Sequence, residues 1–344
     1  MTVTNIALFG AGRIGGMHAR LIAGHPLATL RYVADAVPER AAELAARHGA
    51  KAVSVEEALA DPALDAVLIA TATDTHAGLI EQAARAGKHI FCEKPIDLDL
   101  ARAAQAVEAA RHAGVKLMIG LNRHFDPALM QLKALLAEGE IGRPIQLVIH
   151  NGDKNAPPAA FLRTSGFIIR DMMIHDIDLA CWLLGGQPSA VFAAGAAQVD
   201  PEIGEIGDSD TGALTLVMPG GVLALLTVTR FAKFGFDARV EIRGTKGALW
   251  LHNPGTGHPV LQCLTETGLR TIAVPGLAPD GPMGEAFPDR FSDAFAAQAD
   301  AFVRLVRGEA VAVPGADEAT QAMKIADIAS RLVAEAGAGF SEIE

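Results

Sequence analysis

Cysteine is scarce in this sequence, and the few cysteines are scattered. The three of them, Cys92, Cys181 and Cys263, form no Cys-x-x-Cys pair. This distribution offers no zinc framework and is typical of a protein from a reducing compartment. We therefore expect no structural metal site.

Basic residues and long apolar runs are also lacking. The sequence has 29 Lys and Arg against 40 Asp and Glu, for a formal net charge of −11. This balance argues against nucleic acid and anionic membranes as partners. No apolar run is long enough to span a bilayer, and the first predicted strand begins too early to leave room for a signal peptide. We expect a cytoplasmic protein whose partner is a small molecule.

Apolar residues, by contrast, are abundant. Half of the 344 residues are hydrophobic and only 20% are charged. A chain of this length is too long for one compact core, so two domains are expected.

The first apolar run ends in three closely spaced glycines. Residues 6–9 fit a buried parallel strand, and Gly10, Gly12 and Gly15 follow it as G-x-G-x-x-G. Gly10 permits a tight turn, Gly12 lets the backbone approach a pyrophosphate, and Gly15 lets the next helix pack closely. The helix N-terminus offers free N–H groups to the phosphates. The pattern predicts a dinucleotide site, and an ordinary strand-to-helix turn is the alternative.

Asp35 strengthens this prediction. It closes the second apolar run, at about the 20-residue spacing where an acidic residue accepts hydrogen bonds from the adenosine ribose. A carboxylate there also repels a 2′-phosphate, which predicts NAD rather than NADP. A cation that reaches the 2′-phosphate favours NADP, and Arg31 and Arg40 are the candidates for this role. We interpret both as surface charges instead.

Strands and helices alternate through the first third of the chain. This spacing predicts a parallel, doubly wound sheet, in which ligands bind beyond the carboxyl ends of the strands. Two such ends are residues 71–76 and 93–95. The later runs are β-rich with short connections, and Pro219-Gly220-Gly221 is a hairpin signal. The fold class predicted is α/β: an N-terminal Rossmann dinucleotide-binding domain, residues 1–122, and a C-terminal α+β domain, residues 123–344, with a large, mainly antiparallel open sheet.

Residues 222–226 read Val-Leu-Ala-Leu-Leu without alternation. A strand of this kind is expected to be buried on both faces. The local helices can cover only one face, so a second subunit is the expected cover for the other.

A buried helix is predicted over residues 168–184, because this segment is apolar nearly all round. Asp171, His175 and Asp178 nevertheless share one of its faces. An unpaired carboxylate in such a place costs several kcal/mol. The stripe is therefore expected to face a polar cavity or a partner; a structural hydrogen-bond network or an interface is the alternative.

A metal site on this helix is disfavoured. Asp176 points about 100° away from His175, and no second cluster supplies matching ligands.

General-base chemistry suits the helix better, because histidine ordinarily titrates near neutral pH and can remove the hydroxyl proton of an alcohol that loses hydride. Asp171 can stabilise the imidazolium, and Lys94 at a strand end can stabilise negative charge on the alcohol oxygen.

Two other dehydrogenase designs are excluded. The only tyrosine, Tyr32, lies inside a predicted strand, so the tyrosine–lysine pair of short-chain dehydrogenases is missing. The cysteine ligands of zinc alcohol dehydrogenases are missing as well.

Several segments together resemble the Gfo/Idh/MocA oxidoreductases, and within that family its inositol 2-dehydrogenase branch. They are the glycine segment G-A-G-R-I-G-G-M-H-A, T-A-T-D-T-H at 71–76, A-G-K-H-I-F-C-E-K-P at 86–95, G-L-N-R-H-F-D-P at 120–127, R-D-M-M-I-H-D-I-D at 170–178 and V-D-P-E-I-G-E-I-G-D-S-D-T at 199–211. The resemblance covers nearly the whole chain. It implies a nicotinamide-dependent dehydrogenase of a polyol or sugar, with Lys94, Asp171 and His175 as catalytic residues.

The motifs and the resemblance together define the expected contacts. Cofactor contacts are expected from Gly10, Gly12, Arg13, Ile14, Gly15, Asp35, Thr71, Ala72, Thr73, His76, Glu93 and Lys94. Substrate contacts are expected from Lys94, Arg123, His124, Asp153, Asn155, Asp171, His175 and Phe234.

The sequence departs from the inositol dehydrogenases at substrate positions. Those enzymes usually carry two arginines where this chain has Arg123-His124, and often a tyrosine where it has Phe234 or Phe236. Each lost partner weakens a polyol contact by about 1 kcal/mol. The neighbouring residues 153–155 are good polyol ligands, or alternatively a solvated turn.

The expected reaction is NAD-dependent oxidation of a secondary ring hydroxyl to a ketone, with myo-inositol converted to 2-keto-myo-inositol (scyllo-inosose). The resemblance also implies a homotetramer. The alternatives are a dehydrogenase of another inositol isomer or an aldose, an NAD-dependent glycosidase, and a non-catalytic dinucleotide sensor. An intact Lys94, Asp171 and His175 set argues against the sensor.

Overall fold

The computed structural model describes residues 3–253, 259–274 and 290–336. The chain divides into two compact units, one of Met1–Asn122 with Phe295–Thr320 and one of Arg123–Ala294 with Gln321–Glu344. Residues 295–320 thus group with the first unit, whereas the sequence analysis placed them in the second.

The first unit contains a six-stranded parallel sheet. Its strands are β1 (Thr4–Phe9), β2 (Ala28–Ala34), β3 (Lys51–Ala52), β4 (Ala66–Ile69), β5 (His89–Cys92) and β6 (Leu117–Ile119). They are ordered β3-β2-β1-β4-β5-β6, and every neighbouring pair is parallel. The strand order reverses between β1 and β4, which is where such sheets bind ligands. The predicted doubly wound sheet is confirmed.

The helices of this sheet are α1 (Arg13–Ala23), α2 (Pro38–His48), α3 (Val55–Ala60), α4 (Thr73–Arg85) and α5 (Leu100–His112). Local caps fix several of their starts. Ser54 and Glu57 form a reciprocal capping box on α3, and the Asp99 carboxylate accepts two backbone N–H bonds at the start of α5. The central strands are buried on both faces, as β4 shows with four buried residues.

The second unit contains an eight-stranded sheet. Its strands are β7 (Pro144–Gly152), β8 (Ala190–Ala196), β9 (Thr211–Val217), β10 (Leu223–Thr229), β11 (Asp237–Gly244), β12 (Gly247–His252), β13 (Val260–Thr265) and β14 (Gly268–Ile272). The order is β14-β13-β12-β11-β7-β10-β9-β8. Only the β7–β10 pair is parallel among these, so the mainly antiparallel sheet is confirmed.

The other helices are α6 (Pro127–Ala137), α7 (Ala159–Ser165), α8 (Ile174–Leu184), α9 (Pro201–Glu205), α10 (Ser292–Val306) and α11 (Ala316–Ala336). Short 3₁₀ turns occur at Asn122–Phe125 and Pro219–Gly221. The single helix predicted over residues 168–184 is wrong in its first part. A π-helix, Ile169–Met173, precedes α8 there. π turns interrupt helices frequently at functional sites.

One face of the eight-stranded sheet is covered within the chain. The helix α8 packs on β7 and β10, and α6 packs on β12 and β13. Along β10 the burial alternates: Ala224 and Leu226 are fully buried, whereas Leu223 is 43% exposed. In the described part of this single chain only one face of the strand is buried, and the cover expected from a second subunit stays a prediction. Among the residues that the structure describes, the apolar side chains of the second face of β10 are exposed or half-buried, and we call this side of the sheet its open face.

Among the helices that the structure describes, none combines the length and the apolar character needed to cross a membrane.

Candidate active site

The glycine turn between β1 and α1 has the shape that a dinucleotide needs. Gly10 has φ +101°, and a Cβ there would lie 2.3 Å from the carbonyl oxygen of Ala70. A Cβ on Gly15 would lie 1.9 Å from the carbonyl oxygen of Gly10. These two positions therefore admit only glycine. Gly12 differs, because its Cβ would meet no heavy atom of the described chain within 4 Å.

Gly12 is also the residue before the first turn of α1, and no described side chain caps it. The first N–H groups of a helix have no acceptor within the helix itself, and a helix start of this kind binds phosphate. Arg13 and Ile14 begin the helix, and Arg13 is exposed. The residues present at this turn fit the pyrophosphate of a dinucleotide.

Asp35 holds the glycine turn to the end of β2. Its Oδ2 accepts a hydrogen bond from the Ala11 N–H at 2.6 Å, and its Oδ1 accepts one from the Val37 N–H at 2.8 Å. A carboxylate has about four acceptor sites. Asp35 can therefore order the turn and still accept from a ribose.

Arg31 is engaged away from Asp35. Its Nε donates to Asp61 Oδ2 at 2.7 Å, and the Tyr32 hydroxyl donates to the same oxygen at 2.8 Å. The Ala63 N–H, the Tyr32 hydroxyl and the Arg31 guanidinium together lower the pKa of Asp61 to about 2. Asp61 is thus ionised at neutral pH and keeps Arg31 paired. Arg31 is an ion-paired cation rather than a free phosphate ligand.

Thr71, Ala72 and Thr73 lie where β4 leads into α4. The Thr71 and Thr75 hydroxyls are 2.7 Å apart. His76, by contrast, is buried, and its Nδ1 and Nε2 lie 2.8 Å and 3.2 Å from the carbonyl oxygens of Pro95 and Thr71. Burial lowers the pKa of His76. A neutral imidazole has one N–H, so only one of these two contacts is a hydrogen bond; both ring nitrogens nevertheless face backbone carbonyls rather than a ligand.

Glu93 and Lys94 follow β5, and the Lys94–Pro95 peptide is cis. Glu93 has a partner that the sequence analysis missed. His18 on α1 donates from Nε2 to Glu93 Oε1 at 2.7 Å, and its ring packs edge-on against Phe91 at 5.2 Å. No local pattern signals this pair, because its members are 75 residues apart in the sequence.

The π-helix and the start of α8 hold the predicted acid–histidine pair. Asp171 lies in the π-helix and His175 in the first turn of α8, and both side chains are partly exposed. Asp178 lies further along α8. It is buried, and its Oδ2 accepts a hydrogen bond from His124 Nε2 at 2.9 Å. The spacing along the helix did not predict this contact between Asp178 and His124, whereas the shared face of Asp171, His175 and Asp178 stays a prediction.

Arg123 and His124 are used within the second unit. Arg123 is buried in an ion pair with Asp176, and burial raises the pKa of this aspartate while Arg123 opposes the rise. The His124 ring lies 4.7 Å from the Trp182 ring. The expectation that these two side chains bind substrate is not favoured by this packing, because their polar atoms already bind α8 residues.

Two loops bring the remaining substrate candidates together. The Asp153 N–H donates to the Thr229 carbonyl oxygen at 3.0 Å, and the Ala232 N–H donates to the Asp153 carbonyl oxygen at 2.7 Å. Lys233 Nζ donates to Asn155 Oδ1 at 3.3 Å. Phe234 is 61% exposed on the same loop, whereas Phe236 is buried against Phe291. Asp153, Asn155 and Phe234 therefore lie on two loops that contact each other, and we call these three residues the rim.

Across the described ranges, no group of three or more His, Cys, Asp or Glu side chains is arranged to hold a metal ion.

Comparison with known proteins agrees with the two-part organisation of the chain. A family model described as oxidoreductase family, NAD-binding Rossmann fold, matches residues 4–121, and the GFO/IDH/MocA C-terminal domain model matches residues 129–250. The chain belongs to this oxidoreductase family. Residues 4–121, which include the glycine turn and Asp35, match its NAD-binding part.

Relatives of known description match nearly the whole chain. The inositol 2-dehydrogenase of Rhizobium meliloti (strain 1021) is 38% identical over 339 residues, which cover 97% of this chain and 98% of that protein. A crystal structure of a myo-inositol dehydrogenase from Corynebacterium glutamicum ATCC 13032 matches with a TM-score of 0.84 at 33% identity, covering 97% of each chain. A scyllo-inositol dehydrogenase from Lactobacillus casei, solved with NAD(H) and scyllo-inositol, matches with a TM-score of 0.84 at 28% identity, covering 97% of this chain and 98% of that one.

Proposed function

We propose that this NAD-dependent oxidoreductase oxidises a secondary ring hydroxyl of a cyclic polyol to a ketone. The leading substrate is myo-inositol, and the product is then 2-keto-myo-inositol. The observation that carries the proposal is the partly exposed Asp171–His175 pair at the π-to-α junction of a buried helix. The relatives named above, which act on inositols, support the substrate class.

In this proposal each residue has one task. His175 removes the hydroxyl proton, and Asp171, one turn earlier, stabilises the imidazolium that results. The Lys94 ammonium stabilises negative charge that develops on the alcohol oxygen. NAD, when bound, accepts the hydride from the carbon. The alcohol thus loses one proton to His175 and one hydride, and the carbon–oxygen bond becomes a carbonyl.

The rim residues are proposed to set the substrate. Asp153 and Asn155 offer a carboxylate and an amide to ring hydroxyls, and Phe234 offers an apolar face. Because Arg123 and His124 are tied to α8, the hydroxyls that two arginines would bind must find other partners or stay solvated. This difference favours an enzyme that accepts several inositol isomers and aldoses rather than myo-inositol alone.

The test is NADH formation measured by absorbance across a panel of inositols and aldoses. We expect the highest kcat/KM with an inositol. Release of a sugar from a glycoside without net NADH would instead indicate the NAD-dependent glycosidase. Tight NAD binding with no turnover on any polyol or sugar would indicate the sensor.

Asp35 is expected to determine cofactor preference. Two like charges about 4 Å apart repel by roughly 1 kcal/mol in water and about 4 kcal/mol at an effective dielectric of 20. The Asp35 carboxylate should repel a 2′-phosphate in this way, so NAD should be preferred tens-fold or more. Asp35→Ser should reduce this preference in kcat/KM, whereas Glu39→Gln, an exposed acid on α2, should not. Equal use of both nucleotides by the wild type would contradict the assignment, and so would unchanged selectivity in the serine variant.

We also propose that this enzyme is a homotetramer. The open face of the eight-stranded sheet carries Phe192 at 63% exposure and Leu223 at 43%. Burying apolar surface there gains about 25 cal/mol per Å². Sedimentation at micromolar concentration should show a tetramer, and the double change Phe192→Glu with Leu223→Glu should shift it to smaller species. Met130→Glu, on the exposed side of α6, is the control, and a stable wild-type monomer would refute the proposal.

A reducing cytoplasm is proposed as the working compartment. All three cysteines are free, and burial raises the pKa of Cys181 to about 12. Cys92 is fully buried, and its pKa is also raised well above the ordinary thiol value. Thiols held protonated in this way are inert, so they are structural side chains.

A further inference from the structure

A fully buried arginine lies beneath the proposed general-base pair. Arg230 follows the end of β10 and is wholly inaccessible to solvent. Its Nη1 lies 3.7 Å from Asp171 Oδ2, and its Nη2 lies 3.6 Å from Asp208 Oδ2. One guanidinium is therefore paired with two carboxylates from different segments.

Asp208 links this arginine to the backbone of the π-helix. Its Oδ1 accepts hydrogen bonds from the Ile168 N–H at 2.9 Å and the Ser209 N–H at 2.7 Å. Ile168 directly precedes the π-helix, and Phe167 before it has φ +66°, which is uncommon for a residue with a side chain. The Asp208 carboxylate thus holds the entry into the segment that carries Asp171.

The position of Arg230 is itself fixed. Its backbone N–H donates to the Asp210 carbonyl oxygen at 2.8 Å. The Asp210 carboxylate in turn accepts from the N–H groups of Gln198, Val199 and Asp200. Arg230 is therefore anchored on a rigid support before its side chain reaches the two carboxylates.

Two other buried arginines of the same unit make a useful contrast. Arg123 pairs with Asp176 and Arg290 pairs with Asp126, and the side chains of both aspartates are at most 2% exposed. The Asp171 side chain is 18% exposed. The first two pairs are closed within the core, whereas Arg230 acts on a carboxylate that reaches the surface.

We propose that Arg230 is a positioning residue for catalysis: it fixes the Asp171 carboxylate, and through Asp208 the π-helix, so that His175 is held ready to accept a proton. The inference rests on the proposed function of the Asp171–His175 pair. A neutral residue at position 230 removes the guanidinium that pairs with both Asp171 and Asp208, and it removes a positive charge from the surroundings of His175.

The test compares Arg230→Met and Arg230→Lys with Arg290→Met, a matched loss of a buried arginine from a closed pair. With the inositol that the wild type turns over best, Arg230→Met should lower kcat roughly 10²-fold, the size expected when a catalytic group is slightly misplaced. The KM and the Kd for NAD should change little. Arg230→Lys keeps the charge and should recover part of the rate.

The pH profile separates positioning from a general loss of folding. Without the Arg230 charge, less positive charge opposes protonation of His175, so the acid limb of kcat/KM should move to higher pH. Arg290→Met should leave that limb in place. If Arg230→Met does not fold, Asp208→Asn tests the same link, because it retains an acceptor for the Ile168 N–H but loses the charge that holds Arg230; its kcat should fall.

Asp171→Asn distinguishes a failure of the inference from a failure of the proposed function. A fully active Asp171→Asn enzyme would overturn the proposed function. If Asp171→Asn is impaired, adding Arg230→Lys should cause little further loss, because both changes act on the same carboxylate. Fully additive losses, or an unmoved acid limb in Arg230→Met, would overturn the role of Arg230 and leave the general-base pair standing.

Discussion

Replacing either Lys94 or His175 by alanine should lower turnover of the polyol by roughly 10²- to 10⁴-fold. His175 is proposed to remove the hydroxyl proton, and Lys94 to stabilise the charge that then develops on the oxygen. Neither residue belongs to the glycine turn or to the Asp35 contacts. The dissociation constant for NAD, measured by calorimetry, should therefore stay close to that of the wild type.

Two exposed residues of the same types are the controls. Lys116, before β6, and His112, at the end of α5, are both exposed in the first unit. Lys116→Ala and His112→Ala should retain full turnover. Near-normal turnover in Lys94→Ala or His175→Ala would remove that residue from the mechanism. A loss of NAD binding equal to the loss of rate would mean that the residue binds cofactor instead.

The fold of the first unit follows from local patterns. Strands such as β4 are short apolar runs that are buried on both faces, and turn chemistry marks their ends. Glycine is required at positions 10 and 15 because a Cβ would collide with the backbone of Ala70, directly after β4, in the first case and of Gly10 in the second. Even here the sequence does not mark the start of α4 at Thr73. Thr73 and Asp74 have a polar character that suits a loop and equally suits the first helical turn.

The second unit shows where sequence reasoning fails. The sequence predicted one regular helix through Asp171, where the structure has a π-helix, and it gave no sign that His124 binds Asp178 from 54 residues away. Partners so distant in the sequence carry no periodic signal. Arg230 was missed for the same reason, because its two carboxylates are contributed by separate segments.

The open sheet face illustrates a different limit. The run at residues 222–226 is apolar throughout, and a single sequence does not distinguish a face buried by its own chain from one that another subunit buries. The structure shows that Ala224 and Leu226 face the core, while Leu223 is exposed. An apolar pattern predicts burial, but it does not identify the partner.

Asp176→Ala should destabilise the second unit by about 3–5 kcal/mol, because it leaves the Arg123 guanidinium buried without its counter-charge. Asp176 is fully buried, and burial raises its pKa against the opposing effect of Arg123. Burying the ionised Asp176 carboxylate thus costs free energy, but leaving the Arg123 guanidinium buried without a counter-charge costs more. Urea denaturation followed by circular dichroism measures the change in the free energy of unfolding.

A double replacement and a surface pair complete this experiment. Changing Arg123→Met together with Asp176→Leu should recover most of the lost stability, since apolar residues of similar volume often replace a buried ion pair at little cost. Removing Glu43, which pairs with Arg47 on the exposed side of α2, should cost less than about 1 kcal/mol. If Asp176→Ala is no more destabilising than that surface change, Arg123 must have reached water or another partner. In that case Arg123 would again be available as the substrate ligand that the sequence predicted.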